Sequence, residues 1–350
     1  MKKTLIALAT LGTLSGAAFA QSSVTIYGVV DVSLENVKGE DSLTRVSSSN
    51  LASSRLGFKG VEDLGSGLKG KFVLEHGIAV DTGANNNTRM WDRAAWLGLE
   101  GAFGELRLGR QDSSIGLLAG NTNILGAQAY DDFYIANTFA GRVYRRADNA
   151  ITYLLPKFVD GLSAEVQYST AIGLSATAGN ESTNDAGRTW GLNVAYANGP
   201  IGLGLGYIHV KVDAANSPTS TSATVDDKEE GLLAYGSYDF GAAKLTAYYN
   251  EDERSTDDDK RKLYGITVGV PLGAFTLQAG VSKVDNVNFA KDAEATIYAL
   301  KGVYALSKRT ALYALATYVD NDDGSALNVG AATTAGDSAH GIAIGVRHSF

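Results

Sequence analysis

The sequence contains no cysteine. A soluble secreted protein of this size often closes its fold with disulfides, so their absence points to another solution. After the first residues there is no apolar run long enough to cross a bilayer as a helix, which takes about 20 residues. Any membrane role must therefore be built from strands. Proline is scarce, at four in 350 residues, and glycine follows no collagen-like period; neither a collagen-like nor a disordered chain fits. Histidine is scarce as well. His76, His209, His340 and His348 are scattered, without metal-ligand spacing, and nothing else in the sequence implies a metal or a cofactor.

What is present has a consistent character. Glycine reaches 41 and tyrosine 17, which suits many strands with closely approaching backbones and aromatic bands. The chain opens on Lys2 and Lys3, then an apolar run from Leu5 to Leu14, then the small-x-small sequence Ala18-Phe19-Ala20. That is the pattern of a cleaved signal peptide. Residues 1–20 are expected to be removed, leaving a single domain over 21–350. Removal takes two lysines and no acids, so 28 basic residues face 38 acidic ones, a net charge of −10. Such a balance disfavours nucleic acid as a partner.

Alternation is the recurring signal. Val24, Ile26, Gly28, Val30 and Val32 share one face, and Thr25, Tyr27 and Asp31 the other. Leu162, Ala164, Val166 and Tyr168 oppose Ser163, Glu165 and Gln167; Trp190, Leu192, Val194 and Tyr196 oppose Gly191, Asn193 and Ala195. A period of two with one apolar face marks strands. It does not choose between a sandwich, whose apolar faces meet, and a membrane barrel, whose apolar faces meet lipid.

The connections choose. Seven short links, such as 101–104, 198–200 and 271–274, alternate with eight longer ones, such as 80–87, 171–188 and 321–339. Outer-membrane barrels have short turns at one end and long loops at the other. The expected fold is all-β: a transmembrane antiparallel β-barrel of about 16 strands, wide enough for an aqueous channel.

The longest link, Asp112 to Ala147, follows the fifth strand. It mixes apolar pieces with the acidic pair Asp131 and Asp132 and ends in the basic cluster Arg142, Arg145 and Arg146. Links of this length are functional or disordered, and apolar content argues against disorder. It is expected to fold back into the lumen as the third outer loop and narrow it. Arg55 lies on the polar face of the second strand, and Arg93 reads as mid-strand within Trp91 to Trp96. A charge facing lipid at mid-membrane costs roughly 2–4 kcal/mol, so both are expected to face the lumen.

Other motifs carry less. Gly65-x-Gly67-x-x-Gly70 matches a dinucleotide pattern, but that fingerprint opens a helix, and Leu68 to Val73 reads as a strand after a hairpin turn. Asp320, Asp322 and Gly324 lack the rest of a twelve-residue calcium loop and, like Asp257-Asp258-Asp259, read as solvated loop tips. No Ser/His/Asp grouping stands out.

Three stretches carry a family resemblance: Ser54-Arg55-Leu56-Gly57-Phe58-Lys59-Gly60-Val61-Glu62-Asp63-Leu64-Gly65, then Leu108-Gly109-Arg110-Gln111, then Tyr304 to Tyr313. With the ending Gly345-Val346-Arg347-His348-Ser349-Phe350, the chain resembles the trimeric general-diffusion porins of beta-proteobacteria over its whole mature length. The resemblance implies a homotrimer in the outer membrane, in contact with lipid and lipopolysaccharide, passing small ions and hydrophilic solutes without catalysis. It implies a pore constriction of Arg55, Arg93 and either Arg145 or Arg146, opposed by Asp131 and Asp132. It also implies that Phe350 is an assembly signal for the barrel-insertion machinery. Where the family usually carries a lysine, this chain has Thr152. The alternatives are a substrate-specific channel of the same architecture, marked by an aromatic ladder, an outer-membrane hydrolase on a smaller barrel, and an adhesin acting through its loops.

Overall fold

The computed structural model describes residues 23–86, 89–122, 125–172, 187–212, 227–255 and 260–350. The signal peptide expected over 1–20 lies outside the described residues. The described chain is an antiparallel sheet that closes on itself. Its strands are β1 (Ser23–Lys38), β2 in two pieces (Ser42–Ser48 and Arg55–Gly65), β3 (Leu68–Ala79), β4 (Ala94–Gly101) and β5 (Gly104–Asp112). Then come β6 (Arg146–Leu154), β7 (Leu162–Ile172), β8 (Thr189–Asn198), β9 (Ile201–Val212), β10 (Asp227–Asp239) and β11 (Lys244–Arg254). The last are β12 (Lys260–Leu272), β13 (Phe275–Asp285), β14 (Glu294–Ala305), β15 (Thr310–Asn321) and β16 (Ala339–Ser349). Both pieces of β2 pair with β1, so they form one interrupted strand and the barrel has sixteen. Closure is between β1 and β16, with Val29 opposite Ser349 and Lys38 opposite His340.

The alternation sorts side chains as an inside-out protein requires. On β1, Val24 and Ile26 are 68% and 60% exposed, whereas Asp31 and Glu35 are buried at 0% and 1%. On β16, Ile342 and Ile344 face out and Ala343 faces in. Outward-facing aromatics form two belts. Tyr168, Trp190, Tyr264, Tyr298 and Tyr318 lie towards the long-loop end, and Phe103, Phe158, Tyr238, Tyr304 and Phe350 towards the short-turn end. Aromatic girdles flank the apolar band of a membrane barrel. The glycine triplet weighed above is a hairpin: Gly65, Ser66 and Gly67 all have positive φ (87°, 53° and 79°) between β2 and β3.

The third long link lies inside the barrel. It holds α1 (Ser114–Thr122), a 3₁₀ turn (Gln128–Tyr130), the one-turn α2 (Asp132–Ile135) and a π turn (Phe139–Val143). Its contacts are with inward-facing wall residues. Asn193 Nδ2 donates to the Ser114 carbonyl at 2.9 Å, the Tyr144 hydroxyl to Glu229 at 2.6 Å, and the Phe139 amide to Asp252 at 3.0 Å. Ile115, Leu118, Phe133 and Phe139 of the link join Ile208, Leu233, Leu263 and Val284 of the wall in one buried cluster. Each such side chain contributes roughly 1.5–3 kcal/mol. The lumen is therefore divided: apolar packing fixes the link to β9–β13, and the open passage lies on the other side.

Asp252 is central to that anchorage. Besides the Phe139 amide it accepts a bond from Arg261 at 2.7 Å, and both side chains are almost fully buried (0% and 1% exposed). Arg261 also lies 5.6 Å from the Phe139 ring. Asp252→Ala would leave a buried guanidinium without its counter-charge, a loss of roughly 3–5 kcal/mol. The expected result is a loosened link, seen as excess current noise in single-channel recordings; a current as quiet as wild type would show that this pair does not hold the link.

One sequence expectation is corrected. Arg93 is not mid-strand, because β4 begins at Ala94. Just before it, the Asp92 carboxylate takes the Gly77 amide at 2.7 Å, and the Arg93 amide reaches the Glu75 carbonyl at 3.2 Å. A side chain thus replaces a rung of the ladder and ends the strand early.

Candidate functional site

Where the internal link approaches β2–β4, it leaves a cavity of about 570 Å³ in the lumen. Five arginines line it: Arg55, Arg93, Arg142, Arg145 and Arg146. They reach it from separate elements. Arg55 opens the second piece of β2, on the face that alternation turns inward. Beside it, Gly57 leaves room for the Tyr27 ring to lie on the backbone; a Cβ there would sit 2.3 Å from that ring. The Tyr27 hydroxyl donates to Glu75 Oε2 at 2.8 Å. Arg93 Nε donates to Glu75 Oε1 at 2.7 Å, and Arg55 Nε lies 3.6 Å from Oε2. Arg55 also donates to the Ser53 carbonyl at 3.0 Å. One carboxylate therefore positions two guanidiniums.

The second group stands at the root of the link. Asp112 ends β5 opposite Arg146, which starts β6. Its carboxylate lies 3.3 Å from Arg146 Nε and 3.5 Å from Arg145 Nη2. Arg145 also donates to the Gly116 carbonyl of α1. Both arginines of the pair thus face the cavity. Arg142, on the π turn, lies 4.6 Å from the Tyr134 ring centroid.

The two loop acids part company. Asp131 lines the cavity, and its Oδ1 accepts the Phe133 amide at 3.0 Å. Asp132 is buried against the wall, where the Tyr248 hydroxyl donates to it. Burial, reinforced by the neighbouring Asp132 and opposed by Arg145, holds the Asp131 carboxyl well above the usual carboxylate range. The arginines thus face four carboxylates, Glu75, Asp92, Asp112 and Asp131, one of which is held towards its neutral form. The local balance is positive although the chain as a whole is acidic.

The charged lining is made of guanidiniums and carboxylates. Among the described residues no group of three or more acidic, His or Cys side chains could hold a metal ion. What the arrangement can do is present fixed charge to whatever passes. Glu75, Asp92, Asp112 and Arg142 are the residues that sequence reasoning did not place at the site. Glu75 gives only a weak signal, an acid on the inward face of β3. Arg142 belongs to the basic cluster at the end of the link, but its orientation depends on the π turn.

A family model described as Gram-negative porin matches residues 4–324. The chain belongs to the Gram-negative porin family. Outer membrane porin protein 32 of Delftia acidovorans is 35% identical to this porin over 380 aligned positions, covering all of both chains. An outer membrane porin protein of Bordetella pertussis is 29% identical over 400, again covering all of both. Among solved structures, the anion-selective porin from Comamonas acidovorans matches with a TM-score of 0.76 at 30% identity, over 94% of this porin and 100% of that chain. The trimer form of OmpT from Vibrio cholerae shares the fold, with a TM-score of 0.66 at 18% identity over 94% and 99%. This porin is therefore an outer-membrane β-barrel of a channel family rather than an enzyme.

Proposed function

We propose that the chain is a passive, mildly anion-selective diffusion channel, with its constriction at the arginine-lined cavity. Arg55 and Arg93 on the wall, and Arg145 and Arg146 at the root of the link, are the cationic side. Asp131 and the link backbone are the opposing side, and Asp132 serves the anchorage instead. The observation that carries the reading is the gathering of five arginines around one cavity. In a narrow passage of reduced dielectric, fixed charge acts on ions more strongly than in bulk water. Acidic groups on the outer loops are screened within about 8 Å at physiological ionic strength, so the charge at the neck decides. The relative from Comamonas acidovorans, itself described as anion-selective, supports the same sign.

A substrate-specific channel would need a ladder of aromatic faces along the passage. Tyr27, on the non-apolar face of β1, and Tyr248, buried on β11, are inward-facing tyrosines. Tyr27 is bonded to Glu75 on the wall, and Tyr248 lies behind the internal link, against Phe133. They form no ladder. Liposome swelling tests the choice: entry rates should fall smoothly with solute size and not saturate. A single solute entering fast and saturably would favour the specific channel.

Asp131 gives a pH dependence. A carboxyl held above its ordinary pKa is neutral at low pH and ionises only as pH rises. Anion preference should therefore weaken between mildly acidic and mildly alkaline solution, and Asp131→Asn should remove most of that drift. Equal drift in wild type and Asp131→Asn would assign it to another group.

We also propose a homotrimer in contact with lipopolysaccharide, as the family resemblance implies. Barrels without free edges resist local opening. Unheated samples in mild detergent should migrate as a slow trimer and boiled samples as monomer; monomer under both conditions would contradict the trimer.

A further inference from the structure

The link between β13 and β14, residues 286–293, concentrates unusual backbone. Of the nine described non-glycine residues with positive φ, four lie in it: Asn286, Asn288, Phe289 and Asp292 (56°, 52°, 63° and 62°). Asparagine and aspartate tolerate that region, but a bulky residue there is an outlier. Such strain persists only where the surroundings impose it, and it gathers at functional elements. The base of the turn is pinned. The Val287 amide donates to the Ala293 carbonyl at 2.8 Å, and Asn286 Nδ2 to the Lys260 carbonyl at 2.8 Å. The strain therefore sits at the tip, on Phe289.

What holds Phe289 is the surroundings of its ring. The residue is 3% exposed. The guanidinium of Arg254, on β11, lies 4.1 Å from the ring centroid, and that of Arg261, on β12, lies 4.6 Å from it. The third neighbour is the ring of Phe139, 5.9 Å away, which begins the π turn of the internal link. Arg261 gives Nε and Nη2 to one oxygen of Asp252, the oxygen that also accepts the Phe139 amide. Its Nη1 meets no acceptor among the described residues, so aromatic faces complete its surroundings. A loop at the outer rim thus reaches the element that narrows the passage through one strained side chain.

A strained tip on a pinned base has two settings. With the ring in, it packs on the arginines and on Phe139, and the π turn stays against the wall. With the ring out, the backbone relaxes and Phe139 loses its outer neighbour. We propose that residues 286–293 are a latch on the internal link: Phe289, engaged, keeps the channel open, and its release lets the link move into the passage and close it. The push comes from the membrane potential, which acts on the charges that the link carries, such as Arg142 and Arg145. The inference goes beyond selectivity and rests only on the chain being a channel.

The test uses the full mature porin in planar bilayers, with the voltage stepped in both polarities. Phe289→Asn suits the same backbone and lacks the ring, so it should fold and close at lower voltage. At the voltage that half-closes the wild type, its open-to-closed ratio should fall about tenfold, the scale of a lost buried aromatic contact. Val287→Cys gives a second readout, because the chain has no other cysteine. Val287 is 2% exposed, so a membrane-impermeant thiol reagent on the loop side should modify the variant slowly while channels are open. Modification should be about tenfold faster while they are held closed, as for any site exposed by local opening. The same closing voltage in Phe289→Asn and wild type, closure in neither, or one modification rate in both states would overturn the latch. A wild type that carries no current would reject the channel reading itself, and the latch with it. Heat-modifiable migration of each variant confirms that the barrel has formed.

Discussion

Replacing Arg55 and Arg93 together by alanine is expected to turn anion preference into cation preference. Both guanidiniums rest on Glu75, which also takes the Tyr27 hydroxyl. The double variant removes two positive charges and leaves that carboxylate facing the passage without either of them. A change of about 1.4 kcal/mol in the energy of a permeating ion is about tenfold in occupancy, and two charges lost beside one acid exposed should reach at least that. Arg145 and Arg146 share the single carboxylate of Asp112, so one of their two charges is offset and the other remains. The single variants should fall between, with Arg93→Ala the larger, because its contact with Glu75 is 2.7 Å against 3.6 Å for Arg55. The measurement is the permeability ratio of chloride to potassium. An unchanged ratio in the double variant would show that these arginines do not set the gate.

Deleting Phe350 should have the largest effect on assembly. Its amide and carbonyl each bond the Gly28 backbone, at 3.1 Å, just beyond the last paired residues of β16. Its ring lies over Gly28, where a Cβ would come within 2.4 Å of it. Phe350 therefore fastens the seam where the barrel closes. We propose that the same aromatic, on the lipid-facing register, is what the insertion machinery reads. Losing its apolar burial forfeits roughly 1.5–3 kcal/mol, so folded protein in the outer membrane should drop about tenfold or more, with secretion intact. Gly28→Val, which displaces the ring and retains Phe350, should weaken closure in refolding assays but still reach the insertion machinery. Normal outer-membrane levels of the truncated chain would remove the idea.

Much of the barrel was legible because lipid is an unforgiving solvent. Val24, Ile26, Ile342 and Ile344 had to be apolar, and their partners on the other face did not, so β1 and β16 read clearly. The inner face of β9–β13 was less legible. Ile208, Leu233, Leu263 and Val284 point inward yet are apolar, because the internal link covers them. On such strands both faces look alike. The link's apolar residues marked it as folded, but α1 contains Gly116 and Gly120, and no sequence rule would have made it a helix. Arg55 was legible from its face alone. Arg93 belongs to the cavity, but the early end of β4 depends on Asp92 capturing the Gly77 amide, a contact between strands. The separation of Asp131 from Asp132 depends on Tyr248, more than a hundred residues later. Likewise, Glu75 and Asp112 act by pairing with arginines far along the chain or across a strand end, and pairing is a property of the closed sheet.

The central claim is that local positive charge at the neck outweighs the acidity of the chain as a whole, in which 38 acidic residues face 30 basic ones. The reversal potential of single wild-type channels in a potassium chloride gradient, at neutral pH, tests it most directly. The account predicts a reversal potential displaced towards the chloride equilibrium value, with a current that rises linearly with voltage. Displacement towards the potassium value would contradict it.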